Sequence, residues 1–311
     1  MPLRTRSRPN LFLKTLHLCC AAVALCLTVG AAQAQQADPN TNSKTEPKVE
    51  KDVVYGTVAD TKLLLDAYTP QGFTGKRPAV VLIHGGAWAF GDKSVYGPMC
   101  EALARKGFAA FTIDYRLMPK FRYPAPLDDS QRAVRWIRAH ADSYNVDPER
   151  IGALGDSAGG YCAALLGMRD TRDNSDTDLA KYSSRVQCVV DFYGPTNFIV
   201  PPTAANQTST GAQIVIAFLG KKPSEDPALY KESSPITYAD KLSAPFLIIH
   251  GTGDMLVPLD QSTHLYDALH SAGIDVTLVE LYNLPHGFLT PKAPKQNGAL
   301  AEEFLTRLLK P

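Results

Sequence analysis

Residues Ile151 to Gly160 constrain this chain more tightly than any other stretch. Ile151 to Leu154 is a short apolar run suited to a buried parallel strand, the run breaks at Gly155, and Tyr161 to Met168 has the composition of a helix packed on a sheet. Gly155-Asp156-Ser157-Ala158-Gly159 therefore falls on a strand-to-helix turn. Small neighbours let such a turn tighten until the serine side chain stands clear of it. The following helix offers unpaired backbone N–H groups and the positive end of its dipole, and both favour negative charge developing beside Ser157. A glycine-rich turn of no chemical consequence fits the same pattern, so the rest of the chain must decide.

The surrounding sequence alternates strands with helices. Val53 to Val58 and Lys62 to Tyr68 read as an antiparallel hairpin closed by Ala59-Asp60-Thr61. Ala79 to Ile83 is wholly apolar, as a strand covered on both faces should be, and it ends in His84-Gly85-Gly86-Ala87-Trp88. Further strands are expected at Phe108 to Ile113, Val186 to Phe192, Phe246 to His250 and Val276 to Leu281. Helices are expected at Tyr96 to Lys106, Leu127 to Ala141, Leu259 to Ser271 and Gly298 to Leu309. This rhythm predicts an α/β fold with a mostly parallel central sheet, helices on both faces and the leading antiparallel hairpin at one edge. Residues 196–238 depart from it, and either form a small cap that sets Phe198, Ile214 or Phe218 against substrate or pack as a surface excursion.

A serine hydroxyl becomes nucleophilic when a base takes its proton, and the base needs an orienting carboxylate. Downstream of Ser157, Asp254 follows an apolar strand and His286 lies in a loop beyond the next one, the chain order Ser, Asp, His. Catalytic groups of open α/β sheets gather outside the carboxyl ends of strands, so all three can converge. Asp191 is a rival carboxylate but sits inside the run VVDFYG. Asp156 should point away from the serine, and Asp260 has entered the next helix. His250 reads as structural, His140 as a helix-end residue, and His264 and His270 as solvated helix positions. The oxyanion of a tetrahedral intermediate needs donors, expected from the Ala158 N–H and from the turn at Gly86 and Ala87. Trp88, Tyr193, Phe198 and Phe288 are candidates to line a substrate pocket. No H-E-x-x-H or paired-cysteine motif is present, so neither a metal nor another cofactor is expected.

The first 34 residues carry Arg4, Arg6, Arg8 and Lys14, an apolar run from Leu16 to Ala32, and Ala32-Gln33-Ala34. This is the pattern of a cleaved signal peptide, and the run is short of the ~20 residues of a comfortable membrane span, so no stable anchor is expected. Residues 35–51 are polar and read as a flexible leader, leaving 52–311 as one catalytic domain. Taking the four cations of residues 1–34 from the chain's net +1 leaves about −3, which offers nothing to nucleic acid. Cys100, Cys162 and Cys188 remain beyond the leader, each in an apolar context that suits a buried thiol.

From Val53 to Leu309 the sequence resembles the hormone-sensitive-lipase-like carboxylesterases of the α/β-hydrolase superfamily, and most closely the branch of bacterial feruloyl esterase-like proteins (BD-FAE). The resemblance rests on HGGAW at 84–88 with Gly91-Asp92-Lys93, Asp114-Tyr115-Arg116-Leu117, Tyr123-Pro124-Ala125 with Asp129 and Trp136, GDSAGG at 155–160, SPITY at 234–238, and HGTGD at 250–254 with Val257-Pro258. It implies the triad Ser157, Asp254 and His286, the oxyanion donors Gly86, Ala87 and Ala158, and an exported serine esterase acting on small-molecule or carbohydrate-linked esters. Two positions depart from the family pattern: Ala87, where many relatives carry a third glycine, and Tyr161, where histidine is common. Amide hydrolysis of the arylformamidase kind is a second reading, although that chemistry is cytosolic. Prolyl-oligopeptidase relatives share the triad region but need a propeller for which residues 35–51 leave no room. A hydrolase-fold binding protein is a third reading, disfavoured because such proteins lose part of the constellation present here.

Overall fold

The computed structural model describes residues 4–5, 45–199, 209–288 and 295–310. Its strands are β1 (Arg4–Thr5), β2 (Lys48–Val58), β3 (Thr61–Thr69), β4 (Arg77–Ile83), β5 (Ala109–Ile113), β6 (Val146–Asp156), β7 (Cys188–Phe192), β8 (Phe246–Gly251) and β9 (Val276–Leu281). They form one sheet in the order β1-β9-β8-β7-β6-β4-β5-β3-β2. The six strands β4 to β9 run parallel, whereas β2, β3 and β5 pair antiparallel at one edge and β1 pairs antiparallel with β9 at the other. This is the mostly parallel α/β sheet with an antiparallel leading hairpin that the alternation predicts, and it is the α/β-hydrolase arrangement that the resemblance implies.

The helices are α1 (Gly97–Arg105), α2 (Ala125–Ala139), α3 (Ala158–Met168), α4 (Thr210–Leu219), α5 (Pro227–Ser233), α6 (Asp260–Ser271) and α7 (Lys295–Leu309). Successive side chains of a strand point to opposite faces, and β4 shows what that does to an unbroken apolar run. Ala79, Val81 and Ile83 join one core with α2, α3 and α6, while Val80 and Leu82 join a second core with α1 and α7. Two apolar layers thus clamp the sheet, and Cys100, Cys162 and Cys188 are buried in them as free thiols. Among the described residues no helix is long and apolar enough to cross a membrane.

The expected leader ends earlier than its composition suggests. Residues 48–51 belong to β2, with Lys48 opposite Thr69 and Glu50 opposite Ala67. Polarity hid this strand because it lies at the sheet edge. Its anchor is a lysine: Lys51 Nζ donates to Asp66 Oδ2 at 2.8 Å and to the Tyr68 hydroxyl at 2.6 Å. Residues 35–44 fall outside the described ones, as do all of 1–34 apart from Arg4–Thr5.

Helix α3 begins at Ala158, three residues before the expected Tyr161, because Gly159 and Gly160 are part of its first turn. A Cβ on Gly159 would lie 1.9 Å from the Ile83 carbonyl oxygen. Only glycine lets the helix sit this close to β4, and the contact sets Ser157 beside the turn that leaves that strand.

The segment after β5 is fixed by one buried ion pair. Asp129 on α2 is fully buried and accepts from the Arg116 guanidinium at 2.8 and 2.9 Å and from the Arg116 N–H at 2.8 Å. Burial raises the Asp129 pKa and Arg116 opposes the rise. Removing one partner of such a pair leaves a buried charge uncompensated. Arg116→Ala is therefore expected to lower unfolding free energy by about 3–5 kcal/mol in urea titrations; a loss below 1 kcal/mol would mean that Asp129 finds another partner.

Candidate active site

Three loops at the carboxyl ends of β6, β8 and β9 bring Ser157, Asp254 and His286 together. Ser157 occupies the tight turn with φ 50° and ψ −117°, and its N–H is held by the Phe192 carbonyl at 2.8 Å. Its Oγ lies 2.9 Å from His286 Nε2, and His286 Nδ1 lies 2.7 Å from Asp254 Oδ2. An ionised carboxylate can only accept, so Nδ1 carries the proton and Nε2 presents its lone pair to the serine hydroxyl.

Asp254 is held from several sides at once. Its Oδ1 accepts from the N–H groups of Leu256 and Val257, both at 2.9 Å, and its Oδ2 lies 3.2 Å from His250 Nε2. Burial alone would raise its pKa, but the hydrogen bonds of His250, His286 and Val257 overrule burial and hold it well below the usual carboxylate range. His250 is fixed in turn by Ser262 Oγ at 2.6 Å and the Val257 carbonyl at 2.9 Å. Two cross-links tie the acid loop to the base loop: the Gly253 N–H donates to Leu284 O at 3.1 Å and the Asn283 N–H to Thr252 Oγ1 at 2.8 Å. His250 reads as structural from sequence. Its contact with Asp254 depends on the loop folding back over the end of β8, which residue spacing does not reveal.

The turn at 84–88 is braced in the same manner. The Tyr115 hydroxyl donates to the His84 carbonyl at 2.9 Å while the two rings stack at 4.4 Å. Asp156 Oδ1 accepts from the Gly85 N–H and from the Tyr96 hydroxyl, each at 2.8 Å. So Asp156 does point away from the serine and instead fixes the turn that faces it. Gly86 has φ +113°, and its carbonyl accepts from both Ala89 and Phe90 at 2.9 Å. Among the described residues the N–H groups of Gly86, Ala87 and Ala158 have no protein acceptor, which leaves them available to an oxyanion. Ala87 and Trp88 adopt left-handed φ values of 54° and 57°, a strained choice for residues with a Cβ. The departure from glycine at 87 is thus absorbed as backbone strain, with the donor kept.

A cavity of 840 Å³ opens on Ser157. Trp88 and Phe198 line it, as does α4 through Gly211 to Ile216. Tyr193 and Phe288 do not, contrary to the sequence expectation. Tyr193 packs edge-on behind the His286 ring at 4.8 Å, and Phe288 packs behind Tyr193 at 4.7 Å. Both aromatic rings support the imidazole from its buried side. Phe218, a cap candidate, stacks on Trp88 at 3.9 Å and is fully buried, while Ile214 faces the cavity. Tyr161 lies under this aromatic group, 5.2 Å from Trp88 and 5.7 Å from Phe198. The rival Asp191 is buried in β7, accepts from the Gly194 N–H at 2.9 Å, and is pushed up to about 6 by burial.

The sequence model of the BD-FAE family matches residues 65–269. Esterase LipC of Mycobacterium tuberculosis is 29% identical over 76% of this chain, and the probable carboxylic ester hydrolase LipM of the same organism is 30% identical over 76%. The chain spans only 59% and 55% of those two relatives' own lengths. Among solved structures, a truncated carbohydrate esterase from gut microbiota superposes with a TM-score of 0.75 at 28% identity, covering 86% of this chain and 98% of that one. Thermogutta terrifontis esterase 2 phosphonylated by sarin gives 0.74 at 27% identity, covering 88% of this chain and 99% of that one. The family match spans well over half of the sequence and takes in both Ser157 and Asp254, and on that ground the chain belongs to the BD-FAE family.

Proposed function

We propose that this chain is an exported serine hydrolase of carboxylic esters that works through an acyl-enzyme. The observation that carries the reading is the unbroken hydrogen-bonded series from Ser157 Oγ through His286 to Asp254, at 2.9 and 2.7 Å. Relatives and structural neighbours named as esterases favour ester over amide substrates. A neighbour that sarin phosphonylates behaves as an activated nucleophile would.

In the first half-reaction Ser157 Oγ attacks the ester carbonyl carbon and His286 Nε2 takes the hydroxyl proton. The carbonyl oxygen becomes an oxyanion and receives the N–H groups of Gly86, Ala87 and Ala158. Collapse of this intermediate breaks the bond to the alcohol oxygen, which leaves with the proton from Nε2. Water then attacks the acyl-serine, giving its proton to the same nitrogen, and the acid departs as Ser157 is restored. Asp254 stays ionised throughout and stabilises the imidazolium formed in each half. The ester enters through the cavity walled by Trp88, Phe198 and α4, where the described parts of the 196–238 segment, 196–199 and 209–238, serve as a small cap; residues 200–208 lie outside the described ones.

Export rests on the pattern of residues 1–34. Cleavage after Ala34 would also remove β1, which contributes two residues to the sheet and leaves β9 as its edge.

Ser157→Ala is expected to cut turnover of p-nitrophenyl acetate by about a million-fold and to abolish fluorophosphonate labelling, with an unchanged melting temperature. Asp254→Asn should cost about 10,000-fold, because the amide presents an N–H to Nδ1 and favours the wrong tautomer. The low pKa of Asp254 also fixes the shape of the acid limb. A carboxylate held this low stays charged across the acid limb of the pH profile and adds no ionisation of its own there. Log kcat/KM should therefore fall with a slope of one on the acid side. A slope of two there would place Asp254 in the same titration.

A further inference from the structure

The cavity that reaches Ser157 has a second polar wall that acyl transfer does not use. It is built by the segment leaving β7, Pro195 to Ile199, where this segment meets the start of α6. The N–H groups of Thr196 and Asn197 both donate to Gln261 Oε1, at 2.9 and 2.8 Å. Thr196 Oγ1 donates to the Gln261 carbonyl at 2.5 Å, and the Ile236 N–H donates to the Thr196 carbonyl at 3.0 Å. The Phe198 N–H donates to Ser234 Oγ at 2.8 Å, and the Ile199 N–H to Asn197 Oδ1 at 3.0 Å.

These bonds settle which way each side-chain amide points. Gln261 meets two N–H donors at one atom, and only an oxygen can accept both; a nitrogen there would set donor against donor. Asn197 closes its own turn by accepting the N–H two residues on, so its oxygen is committed as well. What each residue has left is its NH2 group. Among the described residues neither Asn197 Nδ2 nor Gln261 Nε2 has a protein acceptor, and both residues line the same cavity as Ser157.

We infer that Asn197 and Gln261 form a hydrogen-bond-donating subsite beside the nucleophile, specific for neutral acceptor oxygens on the ester's acid or alcohol part. Hydroxyl, ether and carbonyl oxygens meet this description. Two uncharged amides offer a carboxylate no countercharge of their own, and Asp260 and Lys222, charged residues lining the wider cavity, are of opposite sign. Both donors are pre-oriented by backbone contacts, so little ordering is needed when a ligand arrives. The inference rests on the ester-hydrolase reading of Ser157 and narrows its substrates to oxygen-bearing esters.

The test uses two near-isosteric changes. Asn197→Asp and Gln261→Glu each keep an oxygen toward the backbone N–H groups and replace the NH2 by a second oxygen. Ethyl butyrate serves as the plain ester, ethyl 3-hydroxybutyrate carries the extra oxygen on the acid side, and glycerol monobutyrate carries it on the alcohol side. Relative to ethyl butyrate, the wild-type protein should favour at least one oxygen-bearing probe in kcat/KM. That ratio should fall about tenfold in each variant, chiefly through KM. A new negative charge acting on His286 is shared by all three probes and cancels in the ratio. Ratios within twofold of wild type in both variants would overturn the subsite.

Calorimetric binding of the three probes to Ser157→Ala protein, with and without each second change, gives a readout that needs no turnover. Selective binding of an oxygen-bearing probe that either change abolishes would uphold the subsite even if no ester were hydrolysed, a result that would sink the esterase reading alone. Ester turnover with unmoved ratios and unmoved affinities would do the reverse. Should Gln261→Glu melt early through loss of its backbone contacts, Asn197→Asp, which sits on the other side of the junction, decides the matter.

Discussion

The approach of Gly159 to the Ile83 carbonyl is the constraint on which the site depends. It fixes the distance between the start of α3 and the end of β4, and so between two runs of sequence that lie some seventy residues apart. Ser157 and the Ala158 N–H come from one, and the Gly86 and Ala87 N–H groups from the other. An oxyanion can be shared among these donors only if the two backbones stay at contact distance. A methyl group at 159 would push them apart before any catalytic side chain had been touched. Asp156, one residue before Ser157, strengthens the same junction by holding the Gly85 N–H.

The oxyanion side of the site combines close packing with hydrogen bonds, whereas the acid–base side is held mainly by hydrogen bonds. Asp254 accepts from two backbone N–H groups and stands beside two imidazoles. Its charge is therefore stabilised well beyond what one histidine could supply. This matters for the base. A carboxylate that stays ionised keeps His286 in one tautomer, and the edge-on contact of Tyr193, itself backed by Phe288, supports its ring. The two loops carrying the pair are also bonded to each other through Gly253 and Asn283. Position and protonation are thus secured by the same small set of contacts.

How much of this could be read from residues alone follows from the kind of interaction involved. The parallel sheet is legible because Ala79 to Ile83 of β4 and Phe246 to Ile249 of β8 are unbroken apolar runs, and burial on both faces suits such runs. Ser157, Asp254 and His286 could be picked out because their order along the chain matches the order of strand ends. The start of β2 was hidden because an edge strand carries polar residues like a linker, and Lys51 earns its place only through Asp66 and Tyr68 across the hairpin. Tyr193 and Phe288 were misplaced as pocket residues for a related reason. Sequence tells which aromatic rings lie near the site, but not on which side of the histidine they pack.

Backbone strain is found at the site as well as in outlying turns such as Ala59-Asp60. Ser157, Ala87, Trp88 and Tyr193 all have positive φ without being glycine, and each such residue costs on the order of 1–2 kcal/mol. No local preference would hold any of them there. Ser157 is held by its bond to Phe192 and by α3 behind it, and Trp88 by the Met118 N–H on its carbonyl at 2.7 Å and by Phe218 on its ring. Tyr193 is held by the Ile249 carbonyl, which accepts its N–H at 3.0 Å. Ser157, Trp88 and Tyr193 are thus each held by a named partner, and those contacts keep the geometry around the serine from relaxing. Such a site tolerates change in the cavity wall far better than change beneath it, because the wall at α4 and Asn197 carries none of the strain. Substrate choice can vary at that wall while the geometry of proton transfer stays fixed.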